Sequence, residues 1–302
     1  MSAGQEKRVQ FDFEVEFLNG GSLKGQGFRL DIDGEDIDER ALADSIVRDL
    51  RLLMVGRVQI FNKTIITEPH KRGRAHNRNV ESLRGRIVDL SHEIAHGMIT
   101  YRGLPAPVIE DHLSHVASRA IYGEGTEFQI GRISMVANTG TYLDSPFHRR
   151  ADGKDIASLE LERLANLETV VVRVTGMSGR AIPREAFCGC DVAGKAVLVH
   201  TGWDRHWRTT RYFDGHPFLT AEAGEYLKQE GAVLVGIDSL NIDDTGDPRR
   251  PVHTELLTSG ITIVEHLRGL EQLPITGARF TAVPPKVCGM GSFPVRAFAV
   301  LP

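Results

Sequence analysis

Asn138-Thr139-Gly140-Thr141-Tyr142-Leu143-Asp144-Ser145-Pro146-Phe147-His148 gathers turn residues, one acid, one proline and one histidine into a single short stretch. The run before it, Phe128 to Val136, is mostly apolar and reads as a buried strand. The run after it, Arg149 to Lys154, is charged and closes on Asp152-Gly153-Lys154, a turn signal. An apolar strand that delivers a polar, sharply turning segment is a common way to hold reactive side chains on a rigid support. The chemistry is therefore expected here.

On either side of this stretch the chain reads as α/β. Arg86 to Leu90 is a short strand, and the Gly- and Pro-containing segment His96 to Glu110 is a loop. Continuous β-branched or apolar runs at Thr169–Val174, Lys195–His200, Ala232–Ile237 and Ile261–Val264 read as buried strands, with Arg296–Val300 closing the chain. A helix is expected from near Thr220, with Glu222 in its first turn and Gly231 past its end. Strands and helices alternate irregularly, so the sheet is mixed. Before residue 80 the pattern changes. Phe11, Phe13, Val15 and Phe17 alternate with acids, Asn19-Gly20-Gly21 is a turn, and Leu42, Ile46, Leu50 and Leu53 recur at helical spacing before further strand residues from Val58 to Ile66. This predicts a small N-terminal ββαβ subdomain in residues 1–80, including a basic linker, and a catalytic domain in residues 81–302.

The central stretch resembles the signature of the cyclase family, which includes bacterial kynurenine formamidases and isatin hydrolase. That signature runs His-x-Gly-Thr-His-x-Asp-x-Pro-x-His. Gly140, Thr141, Asp144, Pro146 and His148 match it, whereas Asn138 and Tyr142 stand where the family has its first two histidines. Further segments match in family order: Val88–His92, Thr201–Trp203, Gly236–Ser239, Pro251–His253, Val264–Glu265 and Pro294–Ala297. The resemblance implies the family's swivelling β/β/α architecture from about Arg86 onward. It also implies a divalent-metal site in which Asp144, His253 and Glu265 are ligands and His148 is the acid/base. A homo-oligomer, dimer or tetramer, is implied in the same way.

The two departures have chemical consequences. A neutral amide such as Asn138 is a poor zinc ligand, and a phenol such as Tyr142 must ionise before it binds a cation firmly. One metal position is then weak or empty. The Asp144, His253 and Glu265 set remains able to hold one ion, zinc or manganese, with an open coordination position. The favoured activity is hydrolysis of an amide or lactone bond in a small carbonyl substrate, with Asn138 and Tyr142 shaping the substrate site. A rival reading dispenses with metal and makes the protein a cyclase or dehydratase acting through Tyr142, His148 and Asp144. A third makes it a non-catalytic small-molecule binder on a decayed site. Each residue also has a plainer role: Asp144 as a turn acceptor, His253 as a core histidine, and Glu265 in an ion pair with Arg296 or His266.

Composition narrows the remaining classes. Apolar residues make up 41% and charged residues 25% of the 302, and the net charge is −4, so neither nucleic acid nor an anionic membrane is an expected partner. The basic stretch at residues 68–85 lacks aromatic platforms and reads as solvated linker. Absence of a long apolar run and of a signal-like N-terminus points to a cytoplasmic protein. The three cysteines, Cys188, Cys190 and Cys288, do not form a disulfide framework and read as ordinary thiols.

Overall fold

The computed structural model describes residues 6–32, 34–50, 52, 54–68 and 85–302. They form two compact units that divide at Gly85. The expected boundary after residue 80, and the basic stretch from residue 69 to residue 84, lie outside the described residues.

The N-terminal unit follows the expected ββαβ order. Strand β1 (Glu6–Phe17) pairs antiparallel with β2 (Ser22–Asp31) and with β3 (Val55–Glu68), and the helix α1 (Glu39–Asp49) falls between β2 and β3 in sequence. Alternation on β1 buries Val9, Phe11, Phe13 and Val15 against Leu42 and Ile46. Asp38 caps α1 by accepting from the Arg40 and Ala41 amides.

In the second unit the strands are β4 (Ile87–Asp89), β5 (Val108–Leu113), β6 (Ile130–Ser134), β7 (Tyr142–Asp144), β8 (Leu167–Arg173), β9 (Ala181–Ile182), β10 (Ala196–His200), β11 (Phe218–Leu219), β12 (Leu234–Ile237), β13 (Thr262–Glu265), β14 (Thr276–Thr281), β15 (Ser292–Pro294) and β16 (Phe298–Val300). Nine of them make one mixed sheet in the order β15-β7-β13-β12-β10-β8-β14-β16-β4. Its centre, β8-β10-β12-β13, is parallel; the flanking pairs are antiparallel. The parallel strands read as continuous apolar runs because both faces are covered. Leu198 and Val264 point into one core, while Val197, Val199, Val235 and Ile263 point into the other. Two helices, α2 (Ala221–Gln229) and α3 (Pro251–Thr258), supply Leu227, Val252, Leu256 and Leu257 to that second core. Each of the fully buried α3 side chains contributes about 1.5–3 kcal/mol of burial free energy, which anchors the helix.

Two expectations need correction. The run before the signature does form a strand, β6, but all five of its residues are exposed. It pairs with β5 as a separate two-stranded ribbon, so its apolar side chains have no sheet or helix face to bury against. The signature itself contains a strand, β7, where the sequence suggested only turns. Pro251-Val252-His253, to which no secondary structure was assigned from the sequence, opens a helix, with Pro251 in the first turn where its missing N–H costs nothing.

Candidate active site

Sheet register assembles the site. In β7, Tyr142 and Asp144 lie two residues apart and so face the same way, while Leu143 points into the opposite core. On one side Glu265 of β13 stands directly across from Tyr142. On the other side Ser292 of β15 stands across from Asp144. Gly291 makes the second alignment feasible: a β-carbon there would fall 2.6 Å from the His148 Cα, so only glycine lets β15 begin this close. Helix α3 packs on the same side of the sheet as these polar groups and brings His253 over them.

All four expected ligand and acid/base residues therefore meet. His253 Nε2 lies 3.7 Å from Asp144 Oδ2 and 3.6 Å from Glu265 Oε1. His148 Nδ1 lies 3.7 Å from Asp144 Oδ1, and ligand atoms of Asp144, His148 and His253 lie within 4.8 Å of one another. Separations of 3.6–3.7 Å are too long for direct hydrogen bonds. They match donor atoms around a single small ion, which at about 2.0–2.2 Å per ligand stand roughly 3.3–3.6 Å apart. Asp144 Oδ2 is buried and receives no hydrogen bond from the protein. An ionised oxygen left without a donor in a buried position costs several kcal/mol, and a cation relieves that cost. The donor set thus fits a divalent ion.

The charges agree. Burial acts most strongly on His253 and lowers its basicity, but Glu265, Asp144 and Asp243 together overturn this and raise its pKa to about 10. Glu265 is pushed up to about 7 by burial, with the Asp144 charge adding to the shift and His253 opposing it. Three buried carboxyl groups, those of Asp144, Asp243 and Glu265, thus stand around one imidazole. Tyr142 is raised well above its usual value by burial first and then by Glu265 and Asp144, so the phenol keeps its proton. It donates that proton to Glu265 Oε2 at 2.5 Å. Glu265 pairs with Tyr142, Asn241 and the Ile242 amide; Arg296, the other partner considered for it, instead pairs with Asp89. His266 turns its ring to Tyr212.

Four neighbours gave no warning in the sequence. Asp243 accepts from the Val252 and His253 amides at 2.8 and 3.0 Å, capping α3, and its Oδ2 lies 2.7 Å from His253 Nδ1. That contact orients the ring and leaves Nε2 toward the carboxylates. Ser292 Oγ donates to Asp144 Oδ1 and lies 2.9 Å from His148 Nδ1, linking the acid to the imidazole. Asn241 and Arg250 complete the lining. A cavity of about 430 Å³ opens over the group, lined by Asn138, Tyr142, His148 and His253 among others. The expected substrate-shaping residues Asn138 and Tyr142 both border it.

Other candidates fall elsewhere. His92 stacks on Trp207 with centroids 4.0 Å apart, and His96 Nδ1 accepts the Ile109 amide. Trp203 is core, packed with Tyr212 and Leu240. The matching segments at Thr201–Trp203 and Gly236–Ser239 join structurally, because Asp238 accepts from the Thr201 and Gly202 amides. The three cysteines are free thiols. No helix among the described residues is long and apolar enough to cross a membrane.

Residues 88–244 match the family described as putative cyclase. His253 and Glu265 lie beyond that match. The kynurenine formamidase of Geobacillus thermodenitrificans is 31% identical over 177 residues, covering 58% of this chain and 81% of that protein. Isatin hydrolase A from Ralstonia solanacearum superposes with a TM-score of 0.63 at 22% identity, over 78% of this chain and 99% of that one. Isatin hydrolase A from Labrenzia aggregata, bound to benzyl benzoate, gives a TM-score of 0.62 at 22% identity, over 75% and 99%. These structures share the fold. The mixed-sheet fold and the buried acid–imidazole group define an α/β enzyme of the hydrolase class. The chain belongs to the cyclase family.

Proposed function

We propose that the protein hydrolyses an amide or lactone bond of a small carbonyl compound at the Asp144–His253–Glu265 centre, with one divalent ion, zinc or manganese, as cofactor. The carrying observation is the buried, donorless Asp144 Oδ2 set 3.7 Å from His253 Nε2, which is itself 3.6 Å from Glu265. Glu265 is preferred to His148 as the third ligand. His148 is tied to Ser292 and borders the cavity, where a proton carrier is needed. An ion bound here supplies Lewis acidity toward water and toward a carbonyl oxygen.

The chain's own groups do the rest. Asp243 fixes the His253 tautomer. Ser292 holds the His148 ring by Nδ1, leaving Nε2 for the substrate side. His148 accepts a proton from the attacking water as the carbon–oxygen bond forms. It returns that proton to the leaving nitrogen or oxygen as the carbon–heteroatom bond breaks. The reading is supported by the name of the 31%-identical relative, a kynurenine formamidase. It also includes self-association, for which the exposed apolar side chains of the β5–β6 ribbon offer a surface.

The metal-free cyclase or dehydratase reading loses its main acid. Tyr142 spends its proton on Glu265 and is 3% exposed, so it is poorly placed to donate to a substrate oxygen. Metal content after reconstitution decides between the two. About one ion per chain is expected, and less than roughly a tenth overturns the metal-assisted hydrolysis.

A further inference from the structure

The cavity over the catalytic group is bordered by three arginines, Arg102, Arg149 and Arg250. They are not equivalent. Arg102 is neutralised by Asp214, which it grips through Nη1 and Nη2 at 2.8 Å each. Arg149 donates from Nε to Thr254 Oγ1 and from Nη2 to the Arg249 carbonyl, both at 2.8 Å. Arg250 donates from Nη1 to Asn241 Oδ1 and to the Asp244 carbonyl, and from Nη2 to the Tyr101 hydroxyl. Every one of these acceptors is neutral. Among the described residues neither Arg149 nor Arg250 makes an ion pair. Two guanidiniums are thus held in place by neutral acceptors alone. Each has five N–H donors, of which Arg149 uses two and Arg250 three, so both retain donors for a ligand.

Arg250 is also in the left-handed backbone region at φ 50°, immediately before Pro251 of α3. A non-glycine residue seldom adopts that conformation without the surroundings imposing it. The nearby Asp247 does not serve as its partner, because that carboxylate is engaged by Arg249. Asp144 and Glu265 lie beneath the cavity floor, fully buried, and face His253. Positive charge at the wall and negative charge at the floor impose an orientation. An anionic group on a ligand belongs at the arginines, and a neutral carbonyl belongs over His253 and His148.

From this we infer that Arg149 and Arg250 form a carboxylate subsite, so that the substrate is a carbonyl compound carrying a carboxylate remote from the bond that is cut. Planar, forked donors suit a carboxylate's two oxygens better than a single-point charge does. The inference rests on the hydrolase reading for the word substrate, but the anion subsite itself does not.

The test uses purified, metal-reconstituted protein and two probes of the same shape, benzoate and benzamide, titrated calorimetrically. Benzoate is expected to bind on the order of tenfold tighter than benzamide, and Arg250→Gln or Arg149→Gln to remove that advantage while leaving benzamide unchanged. Arg250→Lys should recover part of it, which separates loss of charge from loss of structure. Benzoate affinity that survives both glutamine variants overturns the subsite. So does benzoate binding that vanishes with a chelator yet ignores the arginines, since the anion would then be sitting on the ion. Turnover of 2-formamidobenzoate against formanilide separates the two readings. Arginine-dependent benzoate binding with no turnover refutes the hydrolase and keeps the subsite. Turnover of both amides with no arginine dependence does the reverse.

Discussion

Asp243→Asn is the most discriminating single change. The wild-type carboxylate accepts three N–H groups, from the Val252 and His253 amides and from His253 Nδ1, at 2.7–3.0 Å. The amide oxygen of asparagine still accepts from the backbone, so the helix cap is weakened rather than lost. Oδ2 accepts from both the His253 amide and Nδ1, so the amide oxygen settles there and the NH₂ group takes the Oδ1 place, opposite the Val252 amide. The Nδ1 contact then survives as a neutral hydrogen bond, without the carboxylate charge that holds the proton on Nδ1 and raises the basicity of Nε2. Weakened capping plus the loss of one charge-assisted hydrogen bond costs about 2–3 kcal/mol of stability. Loss of the orienting carboxylate costs about 10–100-fold in metal affinity. Urea denaturation of the metal-free protein and competition against a chromogenic chelator measure the two effects separately. If stability falls as expected while metal affinity stays within a factor of about two of wild type, the Asp243 carboxylate does not tune His253 as a metal ligand.

His148→Gln should lower kcat by about 10²–10⁴ with little change in melting temperature, since the ring is partly exposed and contributes no core packing; an unaltered kcat would remove it from the mechanism. Ser292→Ala should lower kcat less and shift the pH profile of kcat, because the link between Asp144 and His148 is cut; a change in KM alone would make Ser292 a packing residue. Replacing both Asn138→His and Tyr142→His restores imidazoles at the two divergent signature positions and should raise bound metal from about one to about two ions per chain, measured by elemental analysis. His92 and His266 should each draw stability down on acidification, because burial pulls their pKa values down to about 3. Their unfolded value is near 6.5, so above that pH both states are neutral and nothing is gained or lost. Below it only the unfolded chain takes up protons, and by pH 5 His266 alone costs about 2 kcal/mol of stability, with His92 adding in the same direction. His266→Asn, a residue that tolerates the φ of 56° found there, should flatten the pH dependence of urea midpoints between about pH 6.5 and 4, and His92→Gln should flatten it further; slopes equal to wild type in both variants would contradict the burial argument.

The parallel centre of the sheet was plain in the sequence because strands covered on both faces are written as unbroken apolar runs. That held for β8, β10, β12 and β13, each found within about two residues of its expected span. The same rule misread β6. An apolar run shows that a strand is favoured, but not that anything lies against it, and Ile130 and Ile133 stand 46% and 49% exposed. The short strand β7 was hidden for the opposite reason. Its three residues include a tyrosine and an aspartate on one face, and only pairing to β13 and β15, more than a hundred residues away in sequence, makes them a strand.

The site divides along the same line. Asp144, His148, His253 and Glu265 were picked out by the resemblance to the cyclase signature, and the fold brings them together. Ser292 and Asp243 were not, since a serine after glycine and an aspartate in a polar loop are what any turn contains. Yet these two decide which proton sits where: one fixes the His253 tautomer and the other ties His148 to Asp144. Asn138 and Tyr142 show the converse. They were conspicuous as departures from a pattern, but the structure makes one of them constructive, since the Tyr142 hydroxyl is the shorter of two donors to Glu265 Oε2, at 2.5 Å against 3.3 Å for Asn241. Substituting that tyrosine alone with phenylalanine should therefore raise the demand for a cation at the centre rather than abolish the centre, and metal affinity should hold or increase. A loss of metal on Tyr142→Phe would mean that the phenol itself is a ligand, and that the division of labour between Tyr142 and Glu265 is the reverse of the one drawn from their hydrogen bond.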